Sequence, residues 1–411
     1  AVVGFVITYF NMDYIVGSIE KSYYNLSLLL AFLLWINAYM SIVNGFLSSV
    51  QNYFKNFLIV SLSQLLVYIF IILFVLILHQ VIGVNSIAFG MLFSAFISYI
   101  VNRYYGNLFK KSQSYTKMDS FVVVQNIILI IISFFPFHSF ASIAYLWAGQ
   151  LDYEGGVSLL GYSHSFCAFL SVAASMGLST VSFPDLARSL SSKNKEIVNQ
   201  GFINFWKQIE AVVVFSTFVA VFTSVFACPI ISVLFLRGEF DNEAVIGLSS
   251  VLPIYLVNGV LIAIMNLTRN VFYSLNKQKI FAVFSGLVTF IFFFSSIIFS
   301  IQVNYIFVGF VETISMGLFA LISLFYINSL AKVFWFKDIV KLLSQIVLLI
   351  LIAIFFYKNI LNYYLNNIVC LLISGVLYTV LADFLLCKIL VNEMILSVNE
   401  KIAHVIKSKL F

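Results

Sequence analysis

Residues Phe57–Leu78 read FLIVSLSQLLVYIFIILFVLIL, a stretch without a single charged side chain. A bilayer's hydrocarbon core is ~30 Å thick, so a helix rising ~1.5 Å per residue needs about 20 apolar residues to cross it. This stretch meets that length. Its apolar residues are continuous rather than alternating, which excludes the two-residue pattern of a membrane barrel strand. It therefore reads as a membrane-spanning helix, and it sets the scale for the rest of the chain.

The same reading predicts spanning helices over 24–48, 57–78, 83–103, 121–147, 157–183, 209–235, 245–273, 280–300, 305–328, 339–357 and 363–388. Composition agrees, since 62% of residues are hydrophobic and 9% are charged, with a mean hydropathy of +1.07. Too few charges remain to clothe a soluble globule of this size. The expected fold class is an all-α polytopic membrane protein, a helical bundle with about eleven complete transmembrane helices. Ala1–Phe10 is apolar but too short to span, and it lacks the basic start of a signal peptide; it is expected to close a truncated helix.

Lysine and arginine fall unevenly between alternate loops. One side collects 17 of the 22 basic residues, among them Lys110, Lys111, Lys193, Lys195, Lys277, Lys332 and Lys409, whereas the other holds Lys21, Arg237 and Lys358. Arg269 and Lys341 fall at helix ends. The second side carries Asp13, Glu20, Asp152, Glu154, Glu239, Asp241 and Glu243 instead. Basic loops stay in the cytoplasm, so the basic side and the C-terminus are expected to be cytoplasmic. The net charge of +6 is thereby explained as topology and not as nucleic-acid binding. The basic loop 103–119 contains Ser112, Gln113, Ser114 and Thr116 and reads as a hinge between two helical lobes. The segment 184–208, opening at Pro184, reads as a solvated connection.

Enzyme motifs are missing from the sequence. It contains no GxxxxGK[ST] phosphate loop, no HExxH helix and no GxSxG elbow. Cys167, Cys228, Cys370 and Cys387 lie singly in apolar runs, and no metal-spaced ligand group is present. A transporter that needs no cofactor is the expected class.

Polar side chains at membrane depth normally face a bundle interior or an aqueous cavity. In the fifth predicted helix His164, Ser171, Ser175 and Ser182 fall within about 20° of one line at 100° per residue, with Ala168 and Ser179 beside it. Such a stripe suits either a substrate cavity or close helix packing through small residues. The fourth helix carries Gln125 and Asn126 near its start and Pro136 and His138 near its middle. Proline removes a backbone donor and bends the helix, so a kink beside a polar stripe suggests a gated cavity. Glu312 and Asp383 are acids inside predicted helices, either of which could carry a coupling proton or cation.

Three further stretches point to a family. LGYSHSFCAFLSVAASMGLSTVSFPDLARSL at Leu160–Leu190, ISVLFLRGEFD at Ile231–Asp241 and NVFYSLNKQK at Asn270–Lys279 occur in that order. Together they resemble the MurJ/MviN lipid II flippase family of the multidrug/oligosaccharidyl-lipid/polysaccharide exporter superfamily. The resemblance implies fourteen helices in two lobes. It assigns 1–114 to the remainder of an N-lobe, 115–330 to a six-helix C-lobe, and 331–411 to two added helices and a cytoplasmic tail. It further implies a monomer that moves a polyprenyl-diphosphate-linked saccharide among membrane lipids by alternating access, driven by a proton, sodium or the membrane potential. The family's cavity arginine aligns with Ser165, beside His164, which leaves an O-antigen or capsule-unit flippase as one alternative. A cation-coupled multidrug antiporter of the same superfamily is a second.

Overall fold

The structure is a computed structural model that describes residues 24–53, 56–83, 85–107, 120–148, 155–238, 240–300 and 305–331. Every regular element among these residues is helical: α1 (Tyr24–Tyr53), α2 (Phe57–Ile82), α3 (Asn85–Asn107), α4 (Ser120–Ala148), α5 (Gly156–Ser171), a π turn (Val172–Met176), α6 (Gly177–Leu190), α7 (Lys195–Val225), α8 (Ala227–Phe235), α9 (Asn242–Ser274), α10 (Gln278–Ser300) and α11 (Tyr305–Ala331). Eight spans in the described residues are long and apolar enough to cross a membrane, or nine when the bent α4 counts as one. The chain is thus an all-α polytopic membrane protein. The expected spans at 339–357 and 363–388, the segment Ala1–Phe10 and most of the 103–119 loop lie outside the described residues.

The chain divides into two compact units, Ala1–Lys117 and Met118–Phe411. In the first, α3 packs against both α1 and α2. A Cβ added at Gly90 would stand 3.0 Å from Ile71 Cα, so glycine lets α3 lie directly against the α2 backbone. Polar clasps reinforce the contact, because lipid tails give helices no hydrophobic reason to associate. Asn44 Nδ2 donates to Ala95 O at 2.8 Å, Gln51 Nε2 to Asn102 O at 2.9 Å, and Ser98 Oγ to Ser63 O at 2.9 Å. The far side of α2 is bare, with Leu58, Leu76 and Val81 each more than 70% exposed. A continuous apolar surface of that kind is one for lipid to cover.

In the second unit α9 is the central helix and touches α5, α6, α7, α8 and α11, while α10 packs on α4 and α11. Val251, Leu252, Tyr255, Met265 and Val271 of α9 are fully buried. Asp241 caps its start by accepting from Ala244 N at 2.8 Å.

Two sequence expectations need correction here. The connection expected over 184–208 is mostly helix: Pro184 lies within α6, which runs to Leu190, and α7 begins at Lys195. Asn194 caps α7 by accepting from Glu196 N at 2.9 Å, and Glu196 adds an acid in the first turn, where the helix dipole favours it. Lys207 and Glu210 therefore stand inside α7. At 31 residues α7 is about 46 Å long, more than the hydrocarbon core needs. The helix expected over 209–235 is also broken after Val225. Pro229 has no N–H for the Val225 carbonyl, and a separate α8 starts at Ala227.

Candidate functional site: an ionisable cluster on a polar helix seam

The fifth expected helix is observed as α5, the π turn and α6 in succession. A π turn holds one more residue than an α turn and recurs at functional positions. It falls in the small-residue run Val172–Met176. Just before it, α9 comes very close to α5: a Cβ at Gly259 would meet Cys167 O at 3.0 Å and Leu170 Cδ2 at 3.3 Å.

Above this crossing lies the most concentrated polar chemistry of the described membrane helices. Glu312 of α11 is 3% exposed. His164 Nε2 of α5 stands 3.0 Å from its Oε1 and 3.1 Å from its Oε2. From α9, Asn258 Nδ2 donates to Oε1 at 2.9 Å and Tyr255 Oη donates to Oε2 at 3.1 Å. The carboxylate thus has donors on both oxygens from two neighbouring helices, as a buried charge requires. His164 Nδ1 lies 3.0 Å from Leu160 O. Its ring packs against Tyr255 at a centroid distance of 4.5 Å and meets the Tyr145 edge at 5.1 Å. Gly309, just before Glu312 on α11, makes room for Tyr255: a Cβ there would lie 2.9 Å from the tyrosine's Cε2.

Below the crossing the contacts are neutral. Asn266 Nδ2 donates to Ser175 Oγ at 3.0 Å, and Asn270 Nδ2 to Ser179 Oγ at 2.7 Å. Ser182 Oγ donates to Gln208 Oε1 of α7 at 3.0 Å. Ser171 and Ser175 are buried, with their hydroxyls donating to Ala168 O and Ser171 O. Ser165 is exposed on the opposite face of α5 and donates to Gly161 O at 3.0 Å.

The fourth helix bends by 48° between Ile128–Phe134 and Ser139–Tyr145, around Pro136. Proline leaves the carbonyl four residues earlier, Ile132 O, without its helical donor. Ser285 Oγ of α10 donates to that oxygen at 2.7 Å. Arg269 of α9 sits over the Phe134 ring, 4.3 Å from its centroid. Gln125 is exposed on α4, whereas the Asn126 and His138 side chains and all of Asp383 lie outside the described set. No group of three His, Cys, Asp or Glu residues fit to hold a metal ion occurs among the described residues.

The structure therefore joins His164 and Glu312, 148 residues apart in sequence, and adds Tyr255 and Asn258. Neither of these was singled out from the sequence. A signal was present: at about 100° per residue Asn258, Asn266 and Asn270 fall within an arc of about 120° on α9. That face is the counterpart of the polar stripe on α5 and α6.

A search of the curated proteins finds no match for this chain. Among solved structures, a "Lipid II flippase MurJ, inward closed conformation" matches with a TM-score of 0.68 at 16% identity, covering 95% of this chain and 82% of that one. At that identity the likeness establishes the fold. The model of the family described as "Lipid II flippase MurJ" matches residues 1–385, nearly the whole sequence, and the chain belongs to that family of flippases.

Proposed function

We propose that this chain carries lipid II, a polyprenyl-diphosphate-linked saccharide, across the bacterial inner membrane without covalent chemistry. The observation that carries this reading is the family match over residues 1–385. The physical need is clear: a diphosphate-sugar head entering hydrocarbon loses its water, at a cost of many kcal/mol for an unpaired charge. A polar path between helices removes that cost while the polyprenyl tail stays in lipid.

The mechanism is alternating access, with lobes 1–114 and 115–330 rocking about the 103–119 hinge in a fourteen-helix, monomeric protein whose C-terminus is cytoplasmic. The helices of 331–411 hold the lipid tail. The head group is handled by the α4 and α5 region, with Gln125, Asn126, His138, His164 and Ser165 as its polar surface, while Ser171 and Ser175 are buried and serve helix packing. The 48° bend at Pro136 and the exposed Ser165 favour this placement. Coupling is assigned to Glu312 or Asp383 with a proton or sodium ion, or to the membrane potential. A multidrug antiporter would need an acid free to meet a cationic drug, and Glu312 is already paired with His164.

Vesicles containing the purified protein and lipid II loaded in the inner leaflet provide the test. An externally added glycan hydrolase is expected to digest that lipid in the presence of the protein and to leave it intact in protein-free vesicles. Equal protection in both, with uptake of a fluorescent cationic drug by the protein vesicles, would replace the flippase reading with the antiporter one.

A further inference from the structure

Both ring nitrogens of His164 face acceptors. Nδ1 lies 3.0 Å from a backbone carbonyl, which cannot donate, so Nδ1 carries a hydrogen. Nε2 lies within 3.1 Å of both oxygens of Glu312. A neutral histidine with its hydrogen on Nδ1 would aim the Nε2 lone pair at a carboxylate, and two acceptors repel. The geometry closes only with one more hydrogen between Nε2 and the carboxyl. Whether that hydrogen belongs to an imidazolium or to a carboxylic acid, the count is the same, and the pair as a whole is neutral.

From this arrangement we propose that His164 and Glu312 together bind one exchangeable proton, and that loading it clasps α5 to α11 and α9. Tyr255 and Asn258 are positioning residues: they fix the two oxygens at 3.1 and 2.9 Å so that the carboxylate meets His164 squarely. When the proton leaves, the site carries a net negative charge in a buried place, and His164 and Glu312 repel across the α5–α11 contact. The titratable groups facing the pair are Tyr255 from α9, Tyr145 from α4 and Cys167 from α5; His164 is the basic partner of Glu312 among the described residues. Asn258 Oδ1 is buried and accepts from no described residue. It belongs to the amide that holds Oε1, and so offers a lone pair beside the carboxyl to a water bringing the proton in. The flippase reading is needed only for what the proton serves: a clasp that opens and closes one helix contact of the transporting unit.

The test is a pH titration of the full chain in lipid bilayers, reading His164 by nitrogen-15 resonance and Glu312 by its carboxyl infrared band. One coupled step is expected, in which both signals change at the same midpoint and one proton is lost, as for any strongly interacting pair. Glu312→Gln should abolish the shared step and leave His164 to titrate alone, at a different midpoint. Should that variant fail to fold, His164→Asn asks the same question from the other partner. A His164 ring that keeps one bare nitrogen at every pH beside an ionised Glu312, or a midpoint that is unchanged in either variant, would overturn the proposal. In lipid II vesicles the parent's flipping rate is expected to change severalfold across the step, and that of Glu312→Gln to show no change at the parent's midpoint. If the step is present but the parent moves no lipid II, the proton site stands and the flippase reading falls. Lipid II flipping with no step would do the reverse.

Discussion

The seam between α5–α6 and α9 contains two kinds of polar contact, one at each side of the Gly259 crossing. On one side a carboxylate, an imidazole, a phenol and an amide share hydrogen bonds around Glu312. On the other, Asn266 and Asn270 bind Ser175 and Ser179. Both kinds join helices where lipid gives no hydrophobic drive, yet only the first can change its charge. The neutral half holds the helices together under all conditions, and the ionisable half makes one part of the same interface responsive. A helix pair can therefore be fixed at one end and switched at the other.

Removing the centre of the ionisable half should have the largest effect. Glu312→Ala leaves His164, Tyr255 and Asn258 without their acceptor, and breaking a buried pair in this way costs about 3–5 kcal/mol; a sharp fall in the thermal midpoint of the detergent-solubilised protein is expected. A thermal midpoint equal to the parent's would mean the cluster contributes nothing to stability.

Next comes Gly309→Ala. Its Cβ would press on Tyr255 at 2.9 Å, and overpacking of this kind costs about 1–3 kcal/mol. Tyr255→Phe in the same background should recover little, because the ring and not the hydroxyl is in the way. Recovery to parental stability would show that the glycine serves the hydroxyl alone.

The bend in α4 supplies a neutral control away from the seam. Ser285→Ala strands the Ile132 carbonyl that Pro136 leaves free, at a cost of about 1 kcal/mol, and that cost should shrink in a Pro136→Ala background where the helix restores its own bond. A double-mutant cycle with no coupling would sever the link between the two residues.

The smallest change is expected in the neutral half. Asn270→Ala removes a cross-helix bond worth about 0.6 kcal/mol on average in membrane proteins, and the loss should be the same at every pH. The stability difference between parent and Glu312→Gln, by contrast, should shrink as pH rises, since the parent then loses the proton that closes its pair. A pH-dependent Asn270→Ala effect would erase the distinction between the halves.

Much of this was legible in the sequence, and the reason is lipid. Continuous apolar runs at 57–78 or 245–273 report their surroundings directly, and α2 and α9 follow within a few residues. The start of α7 was hidden because Lys195–Gln208 is polar, and hydropathy detects contact with lipid rather than helicity. Asn194 and Glu196 carried the missing signal as a cap and a first-turn acid. Pro136 announced a bend, but the hydroxyl that repairs it lies on α10, and nothing local to Pro136 names Ser285. The cluster was half legible. Glu312 and His164 each stood out as ionisable groups in apolar surroundings, while their meeting depends on how α5, α9 and α11 cross, which is a property of packing and not of any one segment.

The π turn at Val172–Met176 also bears on how this helix can change length. An α-helix that loses a residue rotates everything beyond the cut by about 100°, which here would turn Ser179 away from Asn270. A segment already holding one residue more than an α turn can give that residue up and become regular helix. Deleting Ala173 is then the one-residue shortening that α5 and α6 are built to absorb, and a deletion at Leu186 in α6 is not.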